Sequence, residues 1–344
     1  MNYCKNKKYG DLEQVYIILT EECNLSCSYC IRKFDEESNK FIPLEEVRFT
    51  FEKLAKLHDS YQIILSGGEP TLHPDAQAII LLAKKHFKYI SIASNGTNID
   101  FFKNSLKVLK DVHIQISIDG TEDIHDKLRG LNSFQKAFET ISLLSSSNID
   151  TTVASTVNKD NIESFKDLFP LIECVGVKKW KLSPEIQTYK STNRYDKTIG
   201  ADKWNRFVKE MEEYTTNWKG ELNIKTLFNF VGKEIPWNLL DNNFIRNTGC
   251  QPGLKKLYIY PNLSIIGCPC LEEFPLGNLK KDDLSEVIYN KAIELNDLIL
   301  NKTDSICTEC KYFRICKGGC PGASYRKYGV INKSDPRCPL VLLS

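Results

Sequence analysis

The cysteines are where this chain could do chemistry, and they lie in clumps. Cys23, Cys27 and Cys30 follow one another with C-x3-C-x2-C spacing, eight of the 13 cysteines fall between Cys250 and Cys338, and only Cys4 and Cys174 stand apart. Clumped thiolates are soft ligands for iron or zinc, whereas a disulfide framework spreads its cysteines through a small secreted chain. A cubane [4Fe–4S] cluster offers one site per iron, so three protein thiolates leave one iron open to a small molecule. The i, i+4, i+7 spacing could also be the apolar face of a helix. Asn24, Ser26 and Ser28 interrupt it, however, and no flanking apolar stripe continues it. Zinc is the other alternative, although it takes four protein ligands when structural and His or carboxylate neighbours when catalytic.

The elements that must position these thiols read as strand then helix, six times. Apolar, β-branched runs occur at Val15 to Leu19, Gln62 to Leu65, Tyr89 to Ala93, Val112 to Ile118, Thr151 to Val157 and Lys179 to Leu182. Between them lie segments with apolar residues three and four apart, such as Leu44 to Leu57, Ala76 to His86 and Phe134 to Ser145. Such crossovers imply an α/β fold with a parallel sheet and outer helices, here an open or partial (β/α)6 TIM-like barrel with its site at the strand ends. The expected division is 1–200 for the barrel, 201–247 for a helical bridge carrying Trp204, Trp218 and Trp237, and 248–344 for a cysteine-rich iron–sulfur domain.

The motifs fall just after the strands: Cys23 to Cys30 with Tyr29 before the last thiol, Ser66-Gly67-Gly68-Glu69-Pro70, Ala93-Ser94-Asn95-Gly96-Thr97 and Ser117-Ile118-Asp119-Gly120. In this order they resemble the radical S-adenosylmethionine (SAM) superfamily. The resemblance implies that Cys23, Cys27 and Cys30 hold a catalytic [4Fe–4S] cluster. It implies that Gly67, Gly68 and Glu69 hold the amino group of SAM, that Ser94, Asn95, Ser117 and Asp119 lie around its ribose and carboxylate, and that Val157 and Leu182 pack its adenine.

Cys307-x2-Cys310-x5-Cys316-x3-Cys320, then Cys338, preceded by Cys250 and Cys268, resembles the SPASM domain of radical SAM peptide and protein maturases. That resemblance implies two auxiliary clusters, one on Cys307, Cys310, Cys316 and Cys338, the other on Cys250, Cys268 and Cys320. The fourth ligand of the second is open, with Cys270 the nearby extra thiol. Structural zinc knuckles are the alternative for this region. Asn262, in Pro261-Asn262-Leu263-Ser264, can make the turn before Cys268.

The resemblance further implies a radical SAM oxidoreductase that cleaves SAM reductively to a 5'-deoxyadenosyl radical and abstracts hydrogen from a ribosomally made peptide, forming a cross-link or other oxidative modification. A reductant such as flavodoxin or ferredoxin is implied. About 14 residues precede the first strand, which points to leader recognition by a separate protein or by a surface on the barrel or on the Trp-bearing helices. One alternative is a dehydrogenase of a small molecule or of a sulfatase-type protein residue. Sulfatase-oxidising members tend to carry an acid directly after the thiol equivalent to Cys268, and this chain has Pro269. The other alternative is a non-catalytic iron–sulfur or zinc scaffold.

Net charge is +2, so no global basic field draws the chain to nucleic acid or anionic membrane. Met1 to Gly10 lacks the apolar core of a signal peptide, and no stretch approaches the roughly 20 apolar residues of a membrane span, so a cytoplasmic protein is expected. The proton acceptor is not identified by the sequence. Lys181, Glu185 and Tyr189, near the sixth strand, could face the cavity or solvent. Cys174 reads as a small buried residue, and His73, His113 and His125 as satisfied polar groups.

Overall fold

This structure, a computed structural model, describes residues 12–31, 41–57, 61–186, 198–238, 240 and 248–342. Its six expected strands are present: β1 (Gln14–Thr20), β2 (Gln62–Gly67), β3 (Ile90–Ser94), β4 (His113–Ser117), β5 (Thr151–Val157) and β6 (Lys179–Pro184). Each pairs in parallel with the next. Helices fill the crossovers: α1 (Leu44–Leu54), α2 (Ala76–His86), α3 (Ile99–Leu109), α4 (Glu122–Arg129), α5 (Ser133–Ser146) and α6 (Phe165–Cys174).

The alternation of side chains along each strand separates two faces. Val15, Ile17, Ile63, Leu65, Ile92, Ile114, Ile116, Val153 and Trp180 turn outward and are buried in the main core with the helices. Gln14, Gln62, Ser91, Gln115 and Lys181 turn inward and line a cavity on the other face. A parallel sheet covered on both sides is normally apolar on both. The polar inner face therefore marks an open lumen. Gln14 Nε2 donates to Gln62 Oε1 at 3.1 Å and Gln62 Nε2 to Ser91 Oγ at 2.6 Å, so these two amides are bonded across strands.

Two features differ from the expected organisation. After α7 (Ala201–Tyr214), the only helix described in the bridge, a short β7 (Glu221–Asn223) adds to β6 in parallel. On the opposite edge, β8 (Lys256–Ile259) pairs in parallel with β1, and β9 (Ser264–Ile266) and β10 (Pro275–Asn278) follow antiparallel. One ten-stranded sheet results. The cysteine-rich part thus continues the barrel's sheet, and Leu257 and Ile259 enter the same core. The β8–β9 turn is made by Leu263, at φ +63°, while Asn262 Oδ1 accepts from the Ser264 N–H at 3.0 Å. Two later helices, α8 (Ala292–Leu300) and α9 (Pro321–Tyr328), back the cysteines.

Cys174 ends α6 exposed, not buried. Leu168 and Ile172 occupy the inward face, and a residue two places beyond Ile172 falls on the opposite side of a 3.6-residue turn.

Candidate functional site

The segment carrying Cys23, Cys27 and Cys30 is irregular rather than helical, which removes the helix-face alternative. It is fastened at both ends. On one side, the Gly68 N–H donates to the Thr20 carbonyl and the Glu69 N–H to the Glu22 carbonyl, both at 2.8 Å. A Cβ on Gly68 would stand 2.2 Å from the Glu22 oxygen, so only glycine lets the two main chains approach this closely. On the other side, the Ser28 N–H donates to the Leu128 carbonyl of α4 at 2.9 Å.

Glu69 is completely buried. Its Oε1 accepts from Ser94 Oγ (2.8 Å), Thr71 Oγ1 (2.7 Å) and the Thr71 N–H (3.1 Å), and its Oε2 accepts from the Asn95 N–H at 2.7 Å. Burial pushes its carboxyl up, and these donors pull it back. Ser94 and Glu69, read from sequence as ligand contacts, are thus bonded to each other, and Thr71 and the Asn95 N–H share the same carboxylate. Oε2 keeps acceptor capacity, since a carboxylate offers about four lone-pair sites. Asn95 reaches the thiol loop directly, its Nδ2 donating to Asn24 Oδ1 at 2.9 Å and lying 3.8 Å from Cys23 Sγ.

Asp119 anchors the other flank. It accepts from the Tyr29 hydroxyl and from Arg129 Nε, and from the Thr156 N–H at 2.6 Å. Its carboxylate is fully buried and the Arg129 side chain is 10% exposed. The Arg129 guanidinium also lies over the Tyr29 ring, 5.6 Å from its centroid. Burial raises the Cys27 thiol to about 11, and the Arg129 charge opposes that rise. Tyr29 and Arg129 were not assigned roles from the sequence. Tyr29 was visible as the aromatic residue before Cys30, but nothing local to Arg129 announces a partner 10 residues away on another element.

His125 Nδ1 accepts from the Asp119 N–H at 3.1 Å, and its Nε2 is buried without a hydrogen-bond partner, so only half of that ring is satisfied. His73 is bonded at both nitrogens, to the Ile42 carbonyl and the Asp75 N–H. His113 pairs with Asp150.

Strand parity decides the remaining expected contacts. Ser117 lies on the lumen parity at the end of β4, half-buried. Val157 and Leu182 lie on the helix-facing parity and are buried in the main core, 0% and 3% exposed. These side chains pack among the helices, which leaves the main chain at these two strand ends as the part facing the lumen. The Val157 carbonyl accepts from the Glu185 N–H at 2.8 Å.

The C-terminal thiols form two groups. Cys307, Cys310, Cys316 and Cys338 together line one pocket. Burial raises Cys307 and Cys316 to about 12. In the other group Cys270 donates a hydrogen bond to Cys268, which lowers Cys268 and raises Cys270. Burial, then the charges of Cys320 and Cys268, raises Cys250. A Cβ added at Gly322 would lie 3.5 Å from the Cys270 sulfur and 3.6 Å from that of Cys320, so both flank one glycine. Cys270 thus joins Cys250, Cys268 and Cys320. Among the described residues no three His, Cys, Asp or Glu side chains converge tightly enough for a single metal ion. Thiolates of a cubane bind different irons and stand farther apart than the ligands of one ion.

Between the ends of β5 and β6 and helix α9 opens a cavity of about 470 Å³. Glu185 lines it, 4% exposed, with Oε2 accepting from Asn158 Nδ2 at 2.7 Å. Lys181 instead faces the lumen, its ammonium lowered by burial and by Lys256 and Lys225. Tyr189 and Cys4 lie outside the described residues.

Comparison with known proteins finds likenesses over most of the chain. The Radical SAM superfamily matches residues 17–172, from the middle of β1 to the end of α6. The sporulation killing factor maturation protein SkfB of Bacillus subtilis is 29% identical over 78% of this chain, which spans 63% of that protein's length. An AdoMet-dependent heme synthase of Nitratidesulfovibrio vulgaris is 24% identical over 93% of this chain and 90% of its own. Among solved structures, Streptococcus suis SuiB bound to S-adenosylmethionine superposes with a TM-score of 0.79 at 17% identity, covering 96% of this chain and 78% of that one. At that identity the likeness is one of fold. No helix among the described residues is long and apolar enough to cross a membrane.

Proposed function

We propose, from the premise that this chain belongs to the radical SAM superfamily, that it is an oxidoreductase acting on a ribosomally made peptide. One observation carries the reading: a three-thiol loop is clamped between the Gly67–Gly68 turn and the Asp119–Arg129 pair, while two further thiol groups stand in the C-terminal layer. The donor set fits the cofactors. Its members are thiols, the ligands that iron–sulfur clusters take, and the first group leaves an iron uncommitted. Cys23, Cys27 and Cys30 would hold the catalytic cluster. Cys250, Cys268, Cys270 and Cys320, and Cys307, Cys310, Cys316 and Cys338, would hold the auxiliary pair.

When bound, the cluster and SAM supply one-electron cleavage that starts hydrogen abstraction. The chain's own work is to orient and to exclude water. The Gly67–Gly68–Glu69 turn and the lumen-facing end of β4 border the place for SAM, and Arg129 sets a buried positive charge beside Cys27. The cavity at the ends of β5 and β6 offers the substrate a place between the thiol loop's barrel and the auxiliary thiols. Flavodoxin or ferredoxin would deliver electrons, and a separate leader-binding protein would present the peptide.

Similarity to SkfB supports the peptide reading. Similarity to the heme synthase, which extends over nearly all of that protein, supports a second one, oxidation of a small molecule. Anaerobically reconstituted protein should be incubated with SAM, reductant and synthetic precursor peptides encoded beside the gene, and in parallel with an iron porphyrin. The peptide reading expects 5'-deoxyadenosine together with loss of hydrogen from the peptide, followed by mass spectrometry. Turnover of the porphyrin alone would overturn it.

A further inference from the structure

One buried carboxylate is bonded to both C-terminal thiol groups and belongs to neither ligand set. Asp335 is 1% exposed and lines the pocket of Cys307, Cys310, Cys316 and Cys338. Its main chain is tied to that group. The Asp335 carbonyl accepts from the Cys338 N–H at 3.0 Å, and the Asp335 N–H donates to the Gly318 carbonyl, two residues after Cys316, at 3.1 Å. Its side chain is tied to the other group, with Oδ2 accepting from the Cys320 N–H at 2.9 Å. A Cβ on Gly319 would stand 2.4 Å from that of Asp335, so glycine there lets the two segments close on each other.

Arg337 fixes the direction of this carboxylate, its Nε donating to Oδ1 at 3.0 Å and its Nη2 to Oδ2 at 2.7 Å. The pair is compensated, so what it supplies is position rather than net charge. Asp335 is near enough to act on Cys316 and Cys338 in one group and on Cys250 and Cys320 in the other. Cys316 and Cys320 are four residues apart on one short segment and stand in different groups. Ordering main chain costs conformational entropy, and metal capture carries that cost. When Cys316 and Cys338 are fixed, Asp335 is fixed with them and holds Cys320 in place. A site with a ligand already in place binds more tightly.

We infer that Asp335 couples the two auxiliary sites, so that loading of either favours loading of the other. This deepens the iron–sulfur reading of these thiols and rests on it. Asp335 is then a positioning residue, and by linkage the coupling is equal in both directions.

The test uses the full chain with the Cys23/Cys27/Cys30 triple Ala substitution, so that bound iron belongs to the C-terminal groups. Iron and sulfide are titrated in anaerobically. Each group is read by the protection of its thiols from alkylation, followed by mass spectrometry, with total iron counted beside it. Cys307→Ser/Cys310→Ser removes one group at positions outside the bridged segments. It should raise the iron concentration that half-protects Cys268 and Cys270 by about tenfold, within the usual range of coupling between sites. Cys268→Ser/Cys270→Ser should do the same, by the same factor, to Cys307 and Cys310. Asp335→Ala/Arg337→Met should abolish both increases while each group still loads. Asp335→Asn/Arg337→Met, whose amide oxygen can still accept from the Cys320 N–H, should restore them, a rescue that a mere packing role would not give. Groups that load independently in the parent chain, or a coupling that survives Asp335→Ala/Arg337→Met, overturn the inference and leave the iron–sulfur reading standing. Zinc, or no metal at all, on these thiols overturns both.

Discussion

The two ends of this chain handle the same side chain in opposite ways. Near the N-terminus three thiols sit on an irregular loop, Cys23 is exposed, and the loop is held by main-chain bonds, by the Asn24–Asn95 side-chain bond and by one buried ion pair. Near the C-terminus eight thiols fall into two groups, in which Cys270 and Cys307 are buried and Cys250 is exposed. Three ligands in an accessible loop leave an iron for a small molecule to reach, and four close the coordination. The contrast teaches that thiol count, more than residue type or exposure, tells the two ends apart, since each end has one exposed thiol, Cys23 and Cys250. In both places burial pushes thiols up, to about 11 for Cys27 and about 12 for Cys307, so cluster assembly must displace protons.

Removing one thiol from each end breaks the comparison most sharply. Cys23→Ala should abolish SAM cleavage, read as 5'-deoxyadenosine by chromatography. Cys270→Ala should leave most of that cleavage and lose peptide product. If the two variants lose cleavage equally, the division of labour is wrong.

Asp119→Asn tests the clamp on the first loop. It leaves the Arg129 charge without its buried partner, a change that typically costs about 3–5 kcal/mol. The loss should appear in urea unfolding of the apo chain, while Asp150→Asn, at an exposed ion pair, should cost under about 1 kcal/mol.

A smaller effect follows from His125, which burial, and then Arg129, lowers from 6.5 to about 4. The fold keeps this ring neutral, whereas the unfolded chain protonates it below about 6.5. Its contribution is therefore complete above pH 6.5 and is lost as pH falls toward 4, by up to about 3 kcal/mol. In His125→Asn that part of the slope in unfolding free energy between pH 6.5 and 4 should vanish.

Much of this was legible along the chain because the signals are local. Val15 to Leu19 and its five successors alternate or run apolar over a strand's length, and the β5 run Thr151 to Val157 has the observed bounds. The thiol motifs are local too. What was not legible depends on contacts distant in sequence. The four residues Lys256 to Ile259 are too short to announce that they complete the sheet beside β1, about 240 residues earlier. Arg129 gains its role only when α4 folds back onto the thiol loop. For Val157 and Leu182 the strand end was legible but the face was not: parity decides it, and it puts both side chains among the helices.

The central claim is that the first thiol group holds a cluster with one iron free. Electron paramagnetic resonance of the reduced, reconstituted protein tests it most directly, with and without SAM, in the native chain and in the Cys23/Cys27/Cys30 triple Ala variant. The account predicts a spectrum that shifts when SAM is added to the native chain and a variant that keeps the auxiliary signals but shows no shift. A native spectrum indifferent to SAM, or a first site that holds zinc, would contradict it.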